Sequence, residues 1–531
     1  MCSSDLSILE RLYLPQHLAT RRWFSARSRP LHAVRIRDYA LVSTSPAPGF
    51  LTLLDVGYAD GGTETYCVPL AFLAGVSADE LLKESPDLVV ARVSGARRGV
   101  LHERLDLGLA GQLAQAIVND RVITSRSGHI VTTRFPALAD RLGPTALDSL
   151  PIARFGGDQH NTSFLIGDRL VLKLIRRVEP GTNPEFEVGF HLSERVRFPR
   201  APRLAGVVEH DRGGERSTLA VLHEQVPHQT TGWNQALGEV SRFYERAASV
   251  AGTPPTGPLQ VTPGGAHASG VAVPDPIADR FEWYVEALAR LGRRTADLHA
   301  ALATPHGDRA FEPEPIAASE FEAEMAAIGR RAAAALEILR GRVGSLPEEA
   351  ARLATQVLAT ESSVHVLLAQ AVSAFPAGLL RTRVHGDYQL GQVLWNEGDA
   401  FVIDFEGDPA RTIAERRAKQ SPLRDIATMA RSLSYAAYVQ LSAVREREPD
   451  KARRLEPWAA FWDRSATEIF VQSYRAQAGS AASVPHTREA FDAVLRAYLL
   501  DESVTELAFE LESRPNLAFV PLQGLAALLA T

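Results

Sequence analysis

The chain has 531 residues, 45% of them hydrophobic, with 57 Lys plus Arg against 63 Asp plus Glu and a formal net charge of −6. That length allows two or three domains with sizeable cores, and the slight acidity argues against broad nucleic-acid binding. No run approaches the roughly 18 consecutive apolar residues of a membrane helix, the opening MCSSDLSILERLYL lacks a signal-peptide pattern, and Cys2 and Cys67 are too few for a disulfide framework or a zinc site; a cytoplasmic location is expected.

Residues 1–135 contain alternating stretches such as FLTLLDVGY and TETYCVPLAF and read as a small α+β cap domain. A second segment, 136–226, opens with FGGDQHNTS (Phe155 to Ser163), a polar glycine-containing turn followed by FLI, the turn Gly167-Asp168 and RLVLKLI. The turn lacks the full G-x-G-x-x-G spacing; its backbone N–H groups and the hydroxyls of Thr162 and Ser163 are candidates for covering phosphates as an anion-binding nest. Lys173 stands inside an apolar alternation. A lone strand lysine more often snorkels at an edge, but in kinases a lysine so placed reaches the nucleotide phosphates and pairs with a helix glutamate. NPEFEVGFHL supplies such a helix, with Asn183 as cap and Pro184 at its first position. Glu187 is the first candidate partner for Lys173, and Glu185, which equally suits a helix N-terminus, is the second. The apolar strand STLAVLHEQV then ends where backbone groups around Glu224 to Val226 would meet an adenine edge.

Residues 227–531 read as a mainly helical lobe. Its stretch 251–276 is too rich in Pro and Gly for a regular element and reads as an insertion, while 281–303 and 320–372 carry helical periodicity. The densest chemistry is VHGDYQLGQVLWNEGDAFVIDFEGDP, from Val384 to Pro409. VLW and FVIDF form two strands joined by the turn NEGD, so Asp387 and Gln392 precede a hairpin and Asp404 leaves it. Protein kinases place H-R-D-x-x-x-x-N and D-F-G in this order, the first Asp accepting the substrate hydroxyl proton, the Asn and the second Asp holding magnesium. Here Gln392 replaces the Asn and Glu406 the glycine, and Glu406 joins the metal candidates. Hairpin-turn chemistry alone explains Glu397 and Asp399 but not Asp387, Gln392 and Asp404 at this spacing. His385 reads as a brace of the loop rather than a base, since Asp387 already fills that role. Candidates for substrate binding are His385, Arg416, Lys419, Arg424, Asp425 and Tyr435, against a reading in which Arg424 and Asp425 pair at a helix start and Tyr435 is core. Trp233 and Trp395 offer stacking faces, with Trp395 in an apolar strand and better read as core.

The chain resembles the maltokinases, within the wider aminoglycoside-phosphotransferase-like group. The resemblance rests on GDQHNTS, GDRLVLKLIRRVEPGTNPEFEVGFHL, TTGW, HGDYQLGQVLW with IDFEGDP, ERRAKQSPLRDIATMARSLSYAA and LAFELESRPNLAFVPLQGL, with RRWFSARSR near the start. It departs from the family at DESVTEL (Asp501 to Leu507) and in the Pro/Gly-rich insertion. The resemblance implies an α+β, bilobal protein-kinase-like fold with an N-terminal cap, ATP and Mg2+ as cofactors, and phosphorylation of maltose at its anomeric hydroxyl to maltose 1-phosphate for glycogen synthesis. Related enzymes of this group phosphorylate glucosamine. A non-catalytic scaffold docking to trehalose synthase, to which maltokinases are sometimes fused, is the alternative class. Retention of all four chemical groups speaks against it. No nucleic-acid or membrane partner is implied.

Overall fold

The computed structural model describes residues 3–24, 26, 29–44, 47–94, 98–104, 108–156, 160–249, 253–254 and 278–530. The 251–276 insertion, apart from residues 253 and 254, and the centre of the glycine turn, residues 157–159, lie outside the described residues. The chain divides into two compact units: Met1–Arg197 with Ala201–Val226 and Asp408–Arg416, and Phe198–Arg200 with Pro227–Gly407 and Arg417–Thr531. Each is taken by itself.

The first unit starts with the short helices α1 (Ser3–Ile8) and α2 (Leu14–Ala19), then strands β1 (Leu31–Ser43), β2 (Gly49–Tyr58) and β3 (Thr63–Ala74), helix α3 (Val76–Glu84), and strands β4 (Val89–Val93) and β5 (Gly99–His102). Helix α4 (Leu109–Val118), β6 (Val122–Thr124), β7 (His129–Arg134), α5 (Pro136–Leu142), β8 (Ile152–Phe155), β9 (Thr162–Ile166), β10 (Leu170–Leu174), β11 (Arg177–Val178), α6 (Pro184–Phe190), β12 (Leu204–Arg212) and β13 (Glu215–Glu224) complete it. One sheet runs β1-β2-β3-β5-β4 with β11 beside β3, and the other β6-β7-β12-β13-β10-β9-β8. Alternation decides the faces. Leu170, Leu172 and Leu174 join Leu51, Leu53, Ala110, Leu113 and Ile117 in a core that α4 shares with both sheets, whereas Val207 and Val221 face the aromatic side chains of α6.

Two pairings cross the boundary read at residue 135. Strands β6 and β7 fall before residue 135 yet pair into the β12 sheet, with Thr133 opposite Val207, so a cap ending at 135 would cut a sheet. β11, from the second segment, pairs with β3, Arg177 opposite Tyr66, and the two segments share one core. Neither ladder has a local sequence signal, because antiparallel register between distant strands is set by packing.

The second unit holds β14 (Thr230–Thr231), α7 (Gly232–Ser249), α8 (Ala278–Leu302), β15 (Glu314–Pro315), α9 (Ala318–Arg342), α10 (Glu348–Ala359), α11 (Ser363–Ala374), β16 (Leu380–Arg381), β17 (Val393–Asn396) and β18 (Asp399–Val402). It closes with α12 (Ile413–Arg417), whose first four residues belong to the first unit, α13 (Leu423–Arg447), α14 (Pro449–Ala478), α15 (Arg488–Ser513) and α16 (Phe519–Leu529). The stretch expected as one helical region over 320–372 is three helices. Helix α13 is buried on nearly every side, including Ile426, Met429, Leu433, Ala436 and Leu441, as a central helix must be. Around it pack α7, α14, α15 and α16. Gly292 lets α8 press on α14, since a Cβ there would lie 2.4 Å from the Phe470 carbonyl oxygen. Among the described residues no single helix is long and apolar enough to cross a membrane.

Candidate active site

Lys173 is the fourth residue of the five-residue β10, opposite Val221 of β13 and Ser163 of β9. Its odd-numbered position turns it away from the leucine face and toward α6. There its ammonium meets Glu185, Nζ to Oε2 3.5 Å. This corrects the choice of Glu187 as first partner. Asn183 caps the helix, its side chain accepting from the Glu185 N–H at 2.8 Å, which fixes Glu185 in the first turn on the buried face. Glu187, two residues on, lies some 200° further round the helix. Glu185 is only 3% exposed. Burial alone would raise its pKa, but the Lys173 charge and the neighbouring His223, whose Nε2 lies 3.0 Å from Oε1, hold it well below the ordinary carboxylate range.

Two other readings of this half are revised. Thr162 is buried, and its hydroxyl accepts from Arg176 Nε at 2.9 Å, so it serves the interior rather than a phosphate. Arg176 in turn pairs with Glu103 at 2.6 Å, and Glu103 with His17 at 2.6 Å, a buried polar knot in the core of this unit. Ser163 is half-buried on β9. At the end of β13 the Glu224 N–H donates to the Arg203 carbonyl at 2.9 Å and the Gln225 N–H to the Arg169 carbonyl at 2.7 Å. The Glu224 carboxylate is held by Arg203 and Arg141. Neither of these amide N–H groups is therefore left for a purine edge.

The second unit builds the HGD loop on a buried carboxylate. Asp425, 1% exposed at the start of α13, accepts the His385 N–H at 2.8 Å and the Gly386 N–H at 3.0 Å. Its Oδ2 also takes His299 Nε2 at 3.0 Å, and His299 Nδ1 meets the Tyr474 hydroxyl at 3.0 Å. Burial pushes the Asp425 pKa up, but the His299 hydrogen bond and the Gly386 N–H bring it below the usual value. Asp425 is thus an anchor of the loop backbone, which replaces its reading as a substrate contact. His385 is the brace expected. Its Nε2 lies 3.0 Å from the Ile403 carbonyl, which only accepts, so this nitrogen carries the hydrogen; Nδ1 faces the Asp387 N–H at 3.4 Å as acceptor. One imidazole tautomer therefore ties the residue before Asp404 to the residue that is Asp387.

The hairpin does the rest. Val393 pairs with Val402 and Asn396 with Asp399 around a two-residue turn, Glu397 and Gly398, both at positive φ (49° and 76°) as a type I′ turn requires. Beyond the ladder the Ile403 N–H donates to the Gln392 carbonyl at 3.0 Å, so Gln392 and Asp404 sit at the same open end. Asp404 has φ of +66°, a left-handed conformation that costs a non-glycine residue roughly 1–2 kcal/mol. Surroundings must hold it there, and such strain gathers at functional positions. The hard oxygen donors of Gln392 and Asp404 fit magnesium, which binds through one or two carboxylates together with phosphates and water. No group of three or more His, Cys, Asp or Glu able to hold a metal is present among the described residues. Glu406 is buried two residues beyond Asp404.

The other candidate substrate residues are spread across networks. Arg416 pairs with Glu179 at 3.0 Å in the first unit. Lys419 binds Glu314 and the Arg309 carbonyl, and Arg424 is gripped by Glu324 at 2.6 Å and Asp501 at 3.1 Å. The Tyr435 hydroxyl donates to Glu510 at 2.6 Å. Trp395 is core, 7% exposed, and Trp233 is half-buried at the start of α7.

Residues 151–408 match the model of the phosphotransferase enzyme family. The fold is that of the aminoglycoside-phosphotransferase-like kinases. Two curated relatives are glucosamine kinases. That of Streptacidiphilus jiangxiensis is 25% identical over 378 residues, covering 70% of this chain and 72% of its own. That of Mycolicibacterium smegmatis is 27% identical over 377 residues, covering 70% and 78%. Among solved structures, a glucosamine kinase in crystal form B shares the fold with a TM-score of 0.59 at 21% identity, over 97% of both chains. A glucosamine kinase in complex with glucosamine, ADP and inorganic phosphate gives 0.57 at 20% identity, over 97% of this chain and 98% of that one.

Asp425→Asn tests the anchor. An amide presents one accepting oxygen where the carboxylate presents two, so at least one loop N–H loses its partner. Turnover should fall on the order of tenfold to a hundredfold, since small misplacements of a catalytic group are that expensive, while the KM for nucleotide stays within about threefold. Unchanged steady-state kinetics would return Asp425 to an ordinary helix-start residue.

Proposed function

We propose that the chain is an ATP-dependent sugar kinase that moves the γ-phosphoryl group of ATP onto a sugar hydroxyl. The observation that carries the reading is the loop of Asp387, its backbone pinned by Asp425 and His385, with Gln392 and Asp404 together at the open end of the adjoining hairpin. Lys173, oriented by Glu185, serves the nucleotide phosphates. Gln392 and Asp404 are the residues that would hold magnesium, with Glu406 beside them; bound there, the ion neutralises charge on the β- and γ-phosphates. Asp387 takes the hydroxyl proton as the acceptor oxygen bonds to phosphorus and the bond to the β-phosphate oxygen breaks, releasing ADP.

Two acceptors are supported by different observations. The curated relatives are named as glucosamine kinases, which supports glucosamine as the acceptor. The motif resemblance to maltokinases supports maltose, phosphorylated at its anomeric hydroxyl and feeding α-glucan synthesis, with trehalose synthase as the associated partner. Measuring coupled ADP release with glucosamine, maltose, glucose and an aminoglycoside decides between them, and phosphorus NMR locates the new ester. A maltose product that still reduces copper is not the 1-phosphate. No magnesium-dependent ADP release with any sugar would remove the proposal.

A further inference from the structure

The sheet face that carries Lys173 carries a second polar side chain with no part in the motif reading. On β13, Val221 stands opposite Lys173 and His223 opposite Val171, so His223 shares the Lys173 face one step nearer the end of the strand. It is 6% exposed. Its ring stands against α6 at two points one helical turn apart. At the first, Nε2 lies 3.0 Å from Glu185 Oε1; at the second is Gly189, where a Cβ would come within 3.3 Å of the ring Cε1. Nε2 is the ring atom nearest the carboxylate, at contact distance rather than in an aligned hydrogen bond.

We infer that His223 is a positioning residue for the nucleotide phosphates, holding Glu185 in the orientation that Lys173 requires. The inference rests on the phosphotransferase reading. Glu185 is fixed at three places: its backbone N–H by Asn183, Oε2 toward Lys173 and Oε1 toward His223. Removing the third takes the one polar ring away from a buried carboxylate oxygen, and such an oxygen must turn to find a partner or take up a proton. Either response changes what Lys173 faces. A lysine on a four-carbon stem with three rotatable donors has no orientation of its own, so the phosphates feel the state of Glu185 through it. Gly189 belongs to the same device, because its missing side chain is what lets the ring lie close to α6.

The test compares wild type, His223→Leu and His223→Gln by calorimetry with a non-hydrolysable ATP analogue and magnesium. Leucine keeps the volume and loses the donor; glutamine returns an N–H at similar reach. His223→Leu should weaken analogue binding on the order of tenfold, the equivalent of about 1.4 kcal/mol, with His223→Gln within about threefold of wild type. In turnover the same split appears as a raised KM for ATP with the acceptor KM unchanged. A core histidine without this role would lower Tm in His223→Leu and leave analogue binding where it was, which overturns the inference, as does equal weakening by Leu and Gln. If leucine prevents folding, Gly189→Ala gives the second reading by pressing a methyl on the ring: weaker analogue binding supports the inference and unchanged binding overturns it. Wild-type protein that binds no analogue removes the phosphotransferase reading itself, whereas wild-type binding with an unaffected His223→Leu removes this inference alone.

Discussion

Asp404→Asn is expected to lower kcat by about a thousandfold or more while the fold and its Tm stay close to wild type. Magnesium held by Asp404 and Gln392 would supply several kcal/mol of charge stabilisation to the phosphates, and each 1.4 kcal/mol is a factor of about ten. The substitution is unusually clean here for a backbone reason. Asp404 lies at φ +66°, where Asn is among the few residues that sit readily, so the variant changes charge without asking the loop to move. Alanine at the same position would mix strain with lost ligation. Circular dichroism and thermal melting check the fold, and a magnesium titration checks the cause, since a weakened site regains part of its rate at higher metal concentration. Near-wild-type turnover of Asp404→Asn at ordinary magnesium concentration would sink the metal assignment.

What the residues announced by themselves was local. The β9–β10 hairpin, the Asn183 cap, the two-residue turn of β17–β18 and the strand position of Lys173 all follow from alternation, capping and turn chemistry within a few residues. The kinase spacing was local too, and it named Asp387, Gln392 and Asp404 without any knowledge of packing. Contacts between distant segments were not legible. Glu185 and Glu187 are both acidic and both in the first turn of α6, and the choice between them depends on which face α6 presents to β10. His223 reads as one more residue of an apolar strand until α6 is laid across it. Asp425 looked like a helix-start charge; its work is visible only when the HGD backbone, 40 residues earlier, arrives at its oxygens. The division at residue 135 failed for the same reason, because β7 finds its partner in β12.

The proton acceptor gives the second large effect. Asp387 is half-buried, and the loop around it is set by groups that do no chemistry: Asp425 on the two preceding amides and Ser432 Oγ accepting the Leu390 N–H at 3.1 Å, with His385 Nδ1 at a longer 3.4 Å from the Asp387 N–H. Gln389 Nε2 lies 3.4 Å from both carboxylate oxygens, too long for a firm bond and therefore easily displaced by an acceptor hydroxyl. Asp387→Asn leaves each of those backbone contacts intact and removes only the charge. It should lower kcat on the order of a hundredfold or more, the range general-base groups contribute, with the affinity for an ATP analogue within about threefold of wild type. An anomeric hydroxyl is more acidic than an ordinary sugar alcohol, so its proton leaves more readily in a loose transition state and orientation carries more of the effect. The loss should accordingly be smaller for an acceptor attacked at its anomeric oxygen than for one attacked at a primary alcohol. Comparing kcat for wild type and Asp387→Asn on each accepted sugar measures that difference directly. A variant that turns over normally on all of them would leave the phosphotransferase reading without its base.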